Sequence, residues 1–211
     1  MPSKGSGGGA AGGTGRGGGG AAAKPAARSF TSQDEAEAWG QSNYAAWAGS
    51  LNETEAAAVK SYQGMGYVAQ NRYLRGQAGG TKGATAAKRT MSALAKSSVP
   101  EDVTVFRGYG DRFKLEDMQI GTEIHDAGFH STTLNADNAF SGSFRARIRV
   151  PKGSRAAYIN ASTGVKGYEY ELLLQAGSRF RVTGIDRSGY KPIVDMELIG
   201  QNPELPTKKK K

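Results

Sequence analysis

Two textures divide the chain. From Phe30 to about residue 97, apolar residues recur at helical spacing between polar ones. From Val103 onward they alternate or run in short apolar blocks, as strands do. Ser32-Gln33-Asp34-Glu35 reads as a capping box opening a helix that carries Trp39, Tyr44 and Trp47. A second helix opens at Leu51-Asn52-Glu53-Thr54-Glu55, with Asn52 as cap and Glu55 reaching back. It runs through Val59 to Tyr62 and breaks at Gly64 and Gly66. A short helix over Tyr67–Arg75 stops at Gly76 and places Asn71 and Arg75 on one face. After a Gly-rich loop at 79–83, residues 84–97 form another helix with Met91, Leu94 and Ala95 inward, ended by Val99-Pro100.

The strands expected are Val103–Arg107, Phe129–Thr133, Phe144–Val150, Ala156–Ile159, Tyr168–Leu174, Arg179–Thr183 and Ile193–Ile199. Helices first and strands later is an α+β layout: an N-terminal helical lobe packed on a mostly antiparallel β-core. In the strand Tyr168–Leu174, Glu169 and Glu171 fall on one face, roughly 7 Å apart. Two carboxylates side by side on an otherwise apolar strand are costly unless a cation sits with them. A solvated edge strand is the plain alternative.

Charge changes the picture less than its total suggests. The formal net charge is +9, but residues 1–28 contribute +4 and the terminal lysines Lys208–Lys211 another +4, leaving residues 29–204 close to neutral. Three segments are therefore expected: a disordered Gly/Ala-rich arm at 1–28, one folded domain at 29–204, and a basic tail at 205–211. The tails would make at most weak contact with nucleic acid. With no cysteine, thiolate metal sites and a catalytic thiol are excluded, and the two histidines, His125 and His130, have no acids at metal-ligand spacing. No apolar h-region or spanning stretch is present, so no membrane contact is expected.

Three polar clusters then stand out: Arg107-Gly108 at a strand end, Ser131-Thr132-Thr133 after Gly128-Phe129-His130, and Glu169-Tyr170-Glu171. In this order, with the helix around Asn71-Arg72-Tyr73-Leu74-Arg75-Gly76, they resemble the Arg–Ser–Glu class of mono-ADP-ribosyltransferases. The likeness is to the bacterial and phage exoenzyme toxins, and it extends over about residues 50–187. It implies that family's two-sheet α+β fold and NAD as substrate, with no metal.

It also implies roles. Glu171 would bond the nicotinamide ribose and stabilise the developing cation, and Glu169 would prepare the acceptor. Ser131 would hold Glu171 and, with Thr132, touch NAD, and Arg75 and Arg107 would meet the phosphates. Asn71, Arg75 and Gly108 would contact NAD, and Phe140 would stack on nicotinamide. Arg145 or Arg147 could add a phosphate contact, although a solvated strand face explains them as well. His130 would be a non-catalytic neighbour. The Glu-x-Glu spacing goes in that family with arginine acceptors. An aromatic is often found three residues before the first acid; here that position is Lys166, with Tyr168 nearer the strand.

The expected partner is thus a target protein bearing an acceptor arginine, met by a monomer in the cytoplasm of a host or target cell. A phage particle or a dedicated secretion system would deliver it. The alternatives are an NAD glycohydrolase, and a non-catalytic phage or virion binding module on the same fold.

Overall fold

A computed structural model describes residues 25–110, 113–139, 142–164 and 169–206. Four helices come first: α1 (Gln33–Gly49), α2 (Glu53–Ser61), α3 (Tyr67–Leu74) and α4 (Gly80–Ala95). Strands β1 (Val103–Tyr109), β2 (Glu123–Asp126), β3 (His130–Thr133), β4 (Phe144–Val150) and β5 (Ala156–Tyr158) follow. A one-turn helix α5 (Asn160–Thr163) precedes β6 (Glu171–Leu174), β7 (Ser178–Asp186) and β8 (Ile193–Gln201).

Local chemistry sets both helix starts. The Ser32 side chain accepts from the Glu35 N–H at 3.2 Å. At α2 the capping box closes in both directions, Asn52 Oδ1 accepting from Glu55 N–H at 2.9 Å and Glu55 accepting from Asn52 N–H at 3.1 Å. Between α2 and α3, Tyr62–Gly66 forms a π-helical turn in which Gly64 leaves helical geometry. α4 starts earlier than the glycines at 79–83 suggested. Ala87, Thr90, Ala93 and Leu94 form its buried side, while Ala95 is exposed, because α4 packs on both α2 and α3.

The strands hydrogen-bond into one eight-stranded sheet of order β2-β7-β8-β4-β1-β3-β6-β5, antiparallel throughout except for β4 beside β8. The expectation of two sheets meets one continuous ladder instead. It narrows at the β1/β3 seam to the single pair Phe106↔Thr133, whereas β1 and β4 pair from Val103↔Val150 to Tyr109↔Phe144. β6 is no edge strand: it lies between β3 and β5, and Leu172, Leu173 and Leu174 are fully buried. β2, which sequence pattern missed, pairs with β7 at the opposite edge.

The helical lobe closes over β5 and β6. Trp39, Tyr44 and Trp47 of α1 are buried in the common core, and Trp39 stacks edgewise on Tyr44 at 5.7 Å. α1 approaches β5 so closely that a Cβ at Gly40 would fall 2.4 Å from the Tyr158 ring. The lobe thereby brings the π turn and α3 over the narrow seam of the sheet.

Candidate active site

At that seam lies a cleft of about 550 Å³, well within the size range of small-molecule sites. Tyr62, Gln63, Met65, Tyr67 and Asn71 line it from the helical side, and Arg107, Gly108, Ser131, Thr132, Thr133, Glu169 and Glu171 from the sheet. Three separate strands supply the three polar clusters, and the β1-β3-β6 order makes them neighbours. Thr133 lies opposite Glu171 in one ladder and Phe106 in the other.

Glu171 opens β6 and is 2% exposed. Burial is the main reason its carboxyl is pushed up to about 7; the Ser131 hydroxyl, donating to it, pulls the other way, the charge of Glu169 adds to the rise, and the field of Arg107 opposes it. Burial also raises the half-buried carboxyl of Glu169. Arg107 donates from one terminal nitrogen to the Ser131 carbonyl, while its buried Nε has no partner among the described residues. Thr132 is fixed from below, its hydroxyl donating to the Leu172 carbonyl at 2.6 Å.

The two glutamates share the cleft by a different route from the one strand alternation suggests. Regular β6 begins only at Glu171, and Tyr170 has φ of 42°, in the left-handed region. That conformation is uncommon for a bulky residue and costs about 1–3 kcal/mol. The chain kinks between the acids; the pleat does not carry through.

The expected NAD contacts on α3 divide. Asn71 lines the cleft, but its amide is already engaged: Oδ1 accepts from Phe129 N–H at 2.8 Å and Nδ2 donates to the Tyr62 hydroxyl at 3.2 Å. Arg75 does not line the cleft. It makes a two-pronged pair with Asp126, Nε to Oδ1 at 2.9 Å and a terminal nitrogen to Oδ2 at 2.8 Å. Asp126 is 2% exposed and also accepts from Gly128 N–H at 3.0 Å. Burial alone would raise its carboxyl, but the Arg75 bonds and charge hold it well below the usual carboxylate range. Asn71 and Arg75 do share a face, and that face grips the β2–β3 turn. A Cβ at Gly128 would come 2.8 Å from Asn71 Oδ1 and 3.1 Å from the Arg75 guanidinium carbon.

Neither Arg145 nor Arg147 lines the cleft. Arg147 is spent on Asp195, at 2.6 and 2.9 Å, and Arg145 sits half-buried opposite Gly108. His130 is buried outside the cleft lining, against the Tyr109 hydroxyl at 2.8 Å. Phe140, Lys166 and Tyr168 lie outside the described residues, as do residues 1–24 and 207–211. Sequence reasoning missed Tyr62, Gln63, Met65, Asn138 and Ala139 as lining residues, and had Tyr67 and Phe106 only as neighbours of Asn71 and Arg107. The only signal was the pair of glycines around Met65, which marks a break without saying what it faces. Among the described residues no cluster of His, Asp and Glu could hold a metal ion.

A buried acid with a raised pKa, a second acid beside it, and a partly unpaired arginine in one cleft mark it as the candidate active site. The sequence matches the model of the ADP-ribosyltransferase exoenzyme family over residues 36–197. The chain belongs to that family and is, by class, an NAD-dependent mono-ADP-ribosyltransferase.

Among its relatives is mono-ADP-ribosyltransferase C3 of Hathewaya limosa, 27% identical over 213 residues, which cover 86% of this chain and 79% of that protein. The structure resembles the ADP-ribosylating toxin BECa of a binary enterotoxin of C. perfringens, solved with NADH, with a TM-score of 0.73 and 28% identity. That match covers 82% of this chain but 50% of BECa, so this chain spans about half of that toxin component. The Clostridium limosum C3 exoenzyme shares the fold with a TM-score of 0.68 at 24% identity, over 82% of this chain and 97% of that one.

Proposed function

We propose that this protein transfers ADP-ribose from NAD to an arginine side chain of a target protein and releases nicotinamide. The observation that carries this reading is the presence of both Glu169 and Glu171 in one cleft with Arg107 and Ser131.

NAD brings a dianionic pyrophosphate and a cationic nicotinamide ring. Arg107, with its Nε unpaired, is the cation for the phosphates. Arg75 is held by Asp126, so it organises the site and the phosphate role falls to Arg107. Gly108, which lacks a Cβ, lets the backbone approach the nicotinamide carboxamide, and Thr132 holds the strand beside it. As the bond from the ribose carbon to nicotinamide breaks, that carbon becomes cation-like. Glu171 then stabilises the charge, with Ser131 fixing its rotamer. A raised pKa is the cost of burying this carboxylate before the cation forms.

A guanidinium has a pKa above about 12 and is a poor nucleophile. Glu169, less buried and on the open side of the motif, takes the proton as a guanidine nitrogen forms the new bond to the ribose carbon. Hydrolysis has no evident need of this second acid, and its presence favours transfer over a glycohydrolase. The catalytic unit is assigned to residues 29–204, with appended arms on either side, acting on a target protein inside a cell.

The test is incubation of labelled NAD with bacterial and eukaryotic lysates. The expected result is a discrete labelled protein band that hydroxylamine removes and Glu171→Gln abolishes. Nicotinamide release with no protein acceptor in either lysate would replace this reading with the glycohydrolase.

A further inference from the structure

The roles above leave the most strained residue of the site unexplained. Tyr170, between the two acids, is the only residue other than glycine with positive φ among the described residues. Glycine would take that conformation without steric cost, yet a tyrosine occupies it. Strain of this kind persists where surrounding contacts over-determine it. Here they do. The residue is 8% exposed and belongs to the core cluster. The carbonyl accepts from Leu134 N–H at 3.1 Å. The hydroxyl donates to Gln33 Oε1 of α1 at 3.1 Å.

The two acids depend on this residue unequally. Glu171 lies in the ladder, opposite Thr133, and its carbonyl accepts from Ile159 N–H at 3.2 Å. Glu169 precedes the ladder, and no hydrogen bond of its own holds it among the described residues. Tyr170, with its left-handed φ, is the residue that joins it to the ladder. The same Gln33 amide also donates to Asn138 Oδ1 at 3.2 Å, and Asn138 is on the cleft wall. One side chain of α1 thus ties the kink to a second wall. Gln33 lies before the family match, which begins at residue 36.

We infer that Tyr170 is a positioning residue: its ring and hydroxyl hold a left-handed kink that aims Glu169 into the cleft, and so it governs transfer to the acceptor more than cleavage of NAD. The inference rests on the division of labour between Glu169 and Glu171 proposed above.

Three variants separate the parts of the device. Tyr170→Phe keeps the ring and loses the Gln33 bond. Tyr170→Gly permits the kink but removes its anchor. Tyr170→Val removes the anchor and disfavours the kink. Each is assayed for ADP-ribosylation of a small guanidino acceptor and for NAD hydrolysis without acceptor. Wild type and Glu171→Gln run alongside to report on the underlying reading. Expected losses of transfer are about 2- to 3-fold for Phe and about 10- to 100-fold for Gly, since misplacing a reacting group by about 1 Å is enough. The loss is larger still for Val. Hydrolysis stays within about threefold for Phe and Gly. Equal losses of both activities in the folded Gly variant, or transfer at the wild-type rate, would overturn the inference.

Crystal structures of wild type and Tyr170→Gly give a readout independent of activity. Glu169 is expected to leave its wild-type position while Glu171 stays; an unmoved Glu169 overturns the inference even if the guanidino acceptor proves to be the wrong one.

Discussion

The β4–β8–β7 half of the sheet and the β1–β3–β6 seam treat charge in opposite ways. In the first, three arginines are matched, Arg147 with Asp195, Arg181 with Glu123 and Arg149 with Asp102, while the buried Nε of Arg145 has no partner among the described residues. At the seam, Glu171 is bonded by the neutral hydroxyl of Ser131 and feels Arg107 only through its field, while Glu169 sits close enough to raise it further. Matched pairs that stay partly solvated hold geometry at little gain or cost. Under-compensated acids in a buried cleft destabilise the resting protein and gain a partner only when a cation develops beside them. The Arg75–Asp126 pair is matched like the first kind but buried, so losing one partner is costly, although sequence alone places Arg75 with the second.

That contrast can be broken most sharply at Glu171. Glu171→Gln is expected to lower transfer and NAD hydrolysis together by about 1000-fold, at the upper end of what one electrostatic stabiliser supplies. Nicotinamide release measured by chromatography checks it. Next comes Arg75→Ala, which leaves Asp126 charged and buried and should cost about 3–5 kcal/mol in denaturant unfolding.

The third prediction concerns pH. A carboxyl raised to about 7 in the fold from an ordinary value of 4.5 binds more protons folded than unfolded across that window. Wild-type stability from this group is therefore present below about pH 4.5 and lost as pH rises through about 7, by an amount on the order of 3 kcal/mol. Glu171→Gln should flatten that decline in chemical denaturation between pH 5 and 8. For the same reason, activity of the free enzyme should climb through about pH 7 as Glu171 ionises.

Glu169→Gln is fourth. It should cost transfer to arginine about 100-fold, as loss of a general base does, while hydrolysis survives. The smallest effect belongs to the matched face: Arg147→Ala should change stability by less than about 1 kcal/mol, since its partner Asp195 is partly solvated. A larger loss there would erase the distinction between the two regions.

What sequence could show follows the range of the forces involved. The caps at Ser32 and Asn52 are local and were legible, as were the alternating strand Phe144–Val150 and the three polar clusters. The start of α4 was not, because packing on α2 and α3 overrides the reluctance of Gly83 to be helical, while Gly80 begins the helix with a left-handed φ of 68°. Strand β2 was missed because Glu123-Ile124-His125-Asp126 carries one apolar residue and is a strand only through its pairing with β7. Arg75 was legible as a cation on the face of Asn71, but Asp126, which takes it, is 51 residues away. Glu169 and Glu171 were found as a pair for a reason that proves incomplete: period-two alternation does not anticipate a left-handed tyrosine between them.

The central claim is that the paired acids move ADP-ribose from NAD to a guanidino nitrogen. Mass spectrometry of a small guanidino compound incubated with NAD and the wild-type protein tests it most directly. A single ADP-ribose adduct on the guanidine, formed with release of nicotinamide and lowered about 100-fold with Glu169→Gln and about 1000-fold with Glu171→Gln, is the expected result. Adduct formation undiminished in both variants, or NAD left intact by the wild type, would contradict it.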